Sequence, residues 1–298
     1  MKTSVALLST VALIQSASAS SIIYSDTFDR TDSRNIDGSL SGITDNTGSS
    51  LTADAVYSQP WLDPNNAAPT YGVQDGDAAN GGGAQIIGGN LQLSTGAGTS
   101  NAFVNHNFTN AAIASEGNFS VSLDVLGYAQ ADYRFGGGFG VGMSLSEAAS
   151  AGDAFDNSPG RYTGAFNDAS TIGLAVPGTV LTDFWVAIRG NGTLVWGGSS
   201  GNISGATGLG TKTGNITVDF SFADFNAGST VSYEIFLDAA SKGSGSFVWS
   251  GTNENYIGID SRDSSGVNFD NFSVSYIPEP SAAVLGLLGL AGVLRRRR

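Results

Sequence analysis

The chain has 298 residues, with 26 acidic against 13 basic side chains and a net charge of −13. Five of the cations are Lys2 and Arg295 to Arg298, so the stretch between is more acidic still, which argues against nucleic acid or an anionic surface as its partner. Cysteine is absent and histidine occurs once, which excludes disulfide staples and zinc sites built from several Cys or His.

In chain order, Lys2 supplies a positive start, Val5 to Ile14 an apolar run and Ala17-Ser18-Ala19 an A-x-A cleavage site. This predicts a signal helix over 1–19 and a mature chain beginning near Ser20. The body, 20–276, is rich in Gly, Ser, Asn, Thr and Asp, a composition of turns and solvent-facing strands. The segment Ser50 to Ala84 lacks strand periodicity and reads as a long functional loop. Its Trp61, Tyr57 and Tyr71 are the candidate ligand-binding aromatics, because exposed rings stack on sugars.

Period-two alternation then dominates. Asn118 to Val125, Gly214 to Phe222 and Thr230 to Leu237 each place four apolar residues on one face. Asp183 to Arg189 and Thr193 to Gly197 flank Gly190-Asn191-Gly192 and predict a hairpin. Further strands are expected at 85–87, 90–94, 102–108, 133–143, 171–176, 246–249, 256–260 and 269–276. The glycine run 136–142 suits a strand with bulges or a tight crossing. Trp185 is expected in the core, whereas Trp196 and Trp249 end strands and suit core or surface equally. The fold class expected is all-β, a two-sheet antiparallel sandwich.

The tail, 277–298, has three parts. Pro278, Glu279 and Pro280 separate it from what precedes, since neither proline continues a helix or a sheet ladder. Ala282 to Leu294 is uninterrupted apolar, about 20 Å as a helix and short of the roughly 30 Å hydrocarbon core. Arg295, Arg296, Arg297 and Arg298 would hold that end in the cytoplasm. Such a helix is a short transmembrane segment suited to transient anchoring.

These features resemble the PEP-CTERM sorting signal of exported bacterial proteins. The resemblance implies an exosortase-type processing enzyme as partner, export across the inner membrane, transient membrane anchoring, and then release or retention at the cell surface. Within the body, Ser25 to Leu40 and Tyr256 to Tyr276 resemble the opening and closing of bacterial concanavalin A-like (LamG-like) jelly-roll domains, and the hairpin at 183–197 resembles their middle. That resemblance implies first and last strands side by side and a surface used for glycans. Carboxylates from both termini would then meet, making Asp26, Asp29 and Asp270 candidate ligands for a structural calcium, the one cofactor expected. The alternative is that Asp270 and Asn271 cap a bend while Asp26 and Asp29 sit in solvent.

No catalytic constellation stands out in the sequence. No Glu-x-Asp-x-(x)-Glu pattern is present, and Glu234 and Asp238, four apart on one strand face, would stand more than about 13 Å apart. Gly197-Gly198-Ser199-Ser200-Gly201 matches G-x-S-x-G, but the following Asn202 to Gly210 offers no helix for a nucleophile elbow. His106 reads as a strand-surface residue rather than a general base. The expectation is a non-enzymatic surface or extracellular-matrix protein with weak binding to extracellular polysaccharide or a structural role. The alternatives are a glycosidase or lyase on the same sandwich, and a matrix protein without ligand.

Overall fold

The structure is a computed structural model that describes residues 20–32, 57–58, 85–93, 100–104, 106–128, 136–144, 182–199, 203–261 and 266–278. The expected signal helix, the strand at 171–176, Trp61, Tyr71 and the tail beyond Pro278 lie outside the described residues.

The described strands form two antiparallel sheets. The first runs, in spatial order, through β13 (Ala240–Val248), β12 (Thr230–Leu237), β11 (Gly214–Phe222), β6 (Asn118–Gly127), β15 (Val267–Tyr276), β4 (Asn90–Leu93) and β3 (Gln85–Ile87), with β1 (Ser21–Asp26) also pairing with β15. The second runs through β10 (Ile203–Gly208), β9 (Thr193–Gly198), β8 (Phe184–Arg189), β7 (Gly136–Met143), β14 (Tyr256–Ser261), β5 (Ser100–Val104) and β2 (Tyr57–Ser58). The two-sheet sandwich follows from the alternation. Phe119, Val121, Leu123 and Val125 of β6, Ile216, Val218 and Phe220 of β11, and Val231, Tyr233, Ile235 and Leu237 of β12 all turn inward. Their neighbours Ser120, Ser122, Asp124, Thr217 and Asp219 turn out.

Aromatic rings join the sheets. Phe184 of β8 meets Tyr233 of β12 at 4.5 Å between centroids and Phe220 of β11 edge-on at 5.5 Å. The middle strands of the second sheet, β7, β8 and β14, are buried on both faces apart from Arg189. Glycine makes β7 possible. A Cβ on Gly138 would lie 2.0 Å from the Val186 carbonyl oxygen, and one on Gly137 2.5 Å from the Phe269 ring. Gly142, at φ +84, sits where β7 and β14 lose register, so the expected bulge is present.

Where β10 and β13 end the two sheets, the Trp196 indole fills the gap between them. A Cβ on Gly205 or Gly243 would stand 2.1 or 2.5 Å from its ring. Trp185, Trp196 and Trp249 are all buried. Several elements depart from expectation. The strand expected over 102–108 stops at Val104, and His106 is buried (2 % exposed) against the rings of Phe108 and Tyr24 instead of lying on a surface. A one-turn helix, α1 (Ala111–Glu116), follows, started by the Asn110 side chain accepting from Ile113 N–H and ended by Gly117 at φ 63. After Ser199 comes β10 rather than a helix, which removes the nucleophile-elbow reading.

Candidate functional site

The two termini of the body meet, as the jelly-roll resemblance implies. β1 and β15 pair from Ser21 opposite Tyr276 to Asp26 opposite Phe272. The three expected calcium ligands nevertheless do not assemble.

Asp26 is fully buried. Its Oδ1 accepts from the Phe28 N–H at 2.8 Å and from Arg30 Nη1 at 2.7 Å, and its Oδ2 accepts from the Tyr57 hydroxyl at 3.0 Å. The Arg30 guanidinium, only 7 % exposed, stands where a metal ion would. These contacts hold Phe28 in the left-handed region at φ 51, with the Arg30 guanidinium 5.4 Å from its ring centre and the Tyr57 ring centre at 6.2 Å. Asp29 is exposed beside the β3–β4 turn, where the neighbouring Asp32 accepts from Gly88 N–H.

Asp270 lies on the other side of β15, in a bulge formed with Asn271, whose φ is 49. It accepts from the Asn271 N–H at 2.7 Å, so the bend-capping alternative describes Asp270 and Asn271 well, while Asp26 is the reverse of solvated. No three His, Asp or Glu side chains among the described residues form a metal-ligating group. The residues present do not fit a calcium ion at this seam.

Tyr57 is likewise not a stacking surface. It is 1 % exposed, its strand pairs with Val104 of β5, and burial, followed by the nearby Tyr24 and Asp26, pushes its hydroxyl well above the usual tyrosine range. It stays protonated and donates to Asp26.

What the structure does assemble is a polar surface on the outer side of the first sheet. At its centre Asp124 is gripped on both oxygens, by Asn215 Nδ2 at 2.6 Å and Asn271 Nδ2 at 2.8 Å. Asn215 also donates to Ser122 Oγ at 2.8 Å and accepts from Thr217 Oγ1 at 2.7 Å. Toward β3 the amides of Gln85, Gln92 and Asn268 form a ladder at 2.7 and 2.8 Å. Toward β13, Ser241 Oγ donates to Glu234 Oε1 at 2.7 Å.

Strand register also sets carboxylates directly against one another: Asp124 opposite Asp270, and Asp219 opposite Glu234. Partial burial raises the Asp219 carboxyl above its ordinary value; a hydrogen bond from Ser120 pulls it down and the Glu234 charge raises it further. Burial also raises Asp270, with Asn271 lowering it and Asp124, Asp26 and Asp29 raising it. Among the described residues, Lys242 is the only cation on the strands of this sheet. Neither carboxylate pair is visible in sequence spacing, because each forms across strands. Asp238, expected on one strand face with Glu234, is instead in the β12–β13 turn and accepts from Asn215 N–H.

The sequence matches no family profile and none of the curated proteins. Similar solved structures include an endo-1,3-beta-glucanase from Streptomyces sioyaensis, 11 % identical, covering 90 % of this chain and 100 % of its own with a TM-score of 0.47. They also include a beta-1,3-1,4-glucanase (lichenase) derived from a mouse hindgut metagenome, 7 % identical, covering 86 % and 98 % with a TM-score of 0.39. The Emp46p carbohydrate recognition domain is 7 % identical, covering 65 % of this chain and 85 % of its own with a TM-score of 0.41.

Proposed function

We propose that the chain is an exported cell-surface or extracellular-matrix protein. Its tail, with Pro278, Glu279, Pro280 and Arg295 to Arg298, is sorted by an exosortase-type enzyme after transient anchoring in the inner membrane. Its β-sandwich acts outside the cell without catalysis, binding a neutral polysaccharide weakly or serving as a structural component.

The observation that carries this reading is the pairing of Ser21 with Tyr276. The sequence puts the two processing points just before Ser21 and just after Tyr276, and the body closes on itself between them. Removing either end segment would break no strand pair of the seam. The outer face of the first sheet supports the glycan part. Its carboxylates, amides and hydroxyls outnumber its cations and suit a ligand that supplies hydroxyl donors. Trp61 and Tyr71 are the stacking residues of this proposal.

The test is the intact mass of the protein exported by a host carrying the processing system, followed by a glycan array. We expect a mass lacking residues 1–19 and the arginine block, and binding without product. A mature mass that includes Arg295 to Arg298 would contradict the sorting reading. The second reading, a glycosidase, is favoured by one observation, the facing carboxylates Asp219 and Glu234. Soluble oligosaccharides appearing over time, and lost in Glu234→Gln, would establish it.

A further inference from the structure

We propose that β13 is a docking edge for a second copy of this chain, and that two bodies pair through it, β13 against β13 about a twofold axis at Gly243, joining their first sheets into one. The proposal stands on the open end of that sheet and holds whether or not the sandwich binds a glycan.

β13 is the last strand of its sheet. Among the described residues it pairs with β12 alone, from Ala240 opposite Leu237 to Val248 opposite Thr230. Ala240, Ser241, Ser244, Gly245, Ser246 and Val248 are all exposed, Val248 by 53 %. The outward-pointing N–H and C=O groups of such a strand are a template for another strand, and soluble proteins shorten, charge or cover an edge of this kind. At the far end of the same sheet β3 has three residues, whereas β13 has nine. Its inner side is fixed by packing, because Gly243 and Gly245 lie against the Trp196 and Tyr233 rings. The strand is anchored from below while its free side stays in solvent.

Charge selects a second copy as the occupant. The chain carries a net charge of −13, so two copies repel wherever their carboxylates face. β13 has no carboxylate and carries Lys242, and β10, which ends the second sheet, is uncharged. In the next strand inward, Glu234 stands opposite Asp219 of β11 on one side and Ser244 of β13 on the other. A twofold axis at Gly243 sets Lys242 of one copy opposite Ser244 of the other, in the row of that copy's facing carboxylates. Lys242 then lies two strand spacings, about 10 Å, from Glu234 of the other copy, a distance the two side chains span together. The contact occurs twice, as an isologous interface requires. Each copy thus brings its edge lysine to the like-charged pair of its mate.

The experiment is sedimentation velocity over a concentration series on the protein purified from an exporting host, as wild type, Ser244→Lys, Ser244→Glu and Ser221→Lys, with hydrogen exchange of the β13 amides. Wild type is expected to form a dimer in equilibrium with monomer, its β13 amides better protected at high concentration than at low. Ser244→Lys sets a lysine opposite Lys242 of the other copy and should raise the dissociation constant about tenfold or more. Ser244→Glu sets a carboxylate there and should lower it, against the trend of the added negative charge. Ser221 is exposed on β11, two strands in from the edge, so Ser221→Lys adds the same charge elsewhere and should leave the dimer unchanged. If Ser244→Lys fails to fold, Ser244→Glu and the exchange series carry the test. A wild type that stays monomeric throughout the series overturns the proposal. So does association that ignores both Ser244 variants, or that both shift in the same direction, since it then arises elsewhere. An assembly that grows past the dimer means that β13 pairs with a different edge, and overturns it as well.

Discussion

Asp26→Asn separates a buried ion pair from a metal site at the terminal seam. The carboxylate and Arg30 are 2.7 Å apart, with 0 % and 7 % of their side chains exposed, so water offers neither a substitute partner. Asparagine keeps the volume and an acceptor for the Phe28 N–H, so the left-handed turn survives and the charge effect is isolated. Removing one partner of a buried pair costs about 3–5 kcal/mol, because the other charge stays behind in a low dielectric. At about 2–4 °C per kcal/mol for a domain of this size, the midpoint should fall by about 6–20 °C. Guanidinium unfolding at pH 7, followed by tryptophan fluorescence, measures this directly. Adding Arg30→Met should recover part of the loss, since no uncompensated charge then remains. Calcium should shift neither protein; a bound ion at a hundred times its dissociation constant would add about 2.7 kcal/mol. The reasoning is refuted if Asp26→Asn stays within about 1 kcal/mol of wild type, or if calcium stabilises wild type and not the variant.

Gly138→Ala drives a Cβ to 2.0 Å from the Val186 carbonyl, and urea unfolding should show a loss at or beyond the upper end of the roughly 1–3 kcal/mol typical of overpacking. Trp196→Ala empties the slot between Gly205 and Gly243 and should cost about 3–5 kcal/mol in the same assay; a change below 1 kcal/mol would mean the edges close without it. Asp219 and Asp270 have carboxyls raised above their ordinary value, so the folded state holds their protons more tightly and their charge disfavours folding once pH has risen through the raised values. Asp219→Asn should therefore raise the melting midpoint at pH 7, by under about 1 kcal/mol given its partial exposure, and the gain should vanish below about pH 4.

How much of this was legible before folding depends on where each element sits. β11 and β12 match their expected bounds, and β6 runs two residues past its own, because each buries one face and exposes the other. β10 and most of β13 were invisible. They end their sheets, bury little, and are built of Ser, Gly and Ala, so no apolar alternation marks them. Gly243 and Gly245 sit there because Trp196 and Tyr233 come within 2.5 Å of where their Cβ atoms would be. α1 is one turn with one buried side chain, Ile113, too short for a helical period to register. Tyr57 looked like a loop aromatic because nothing local announces a two-residue strand paired with β5.

Asp26 and Arg30 illustrate the deeper limit. Their spacing of four is plain in the sequence, but outside a helix that spacing has no fixed geometry, and the same aspartate serves a cation site or an ion pair with equal ease. What decides is whether a guanidinium reaches the pocket first, and that depends on the left-handed turn at Phe28, which no propensity predicts for a bulky residue. The outer face of the first sheet follows the same logic in reverse. Asp124, Asn215 and Asn271 come from three strands, and their meeting is a product of register and of one bulge at Asp270. Slipping β15 by one residue would turn its core residues outward, so burial of Phe269, Phe272 and Val274 is what sets the polar face in place. The surface proposed to meet a ligand is thus specified by the apolar residues beneath it.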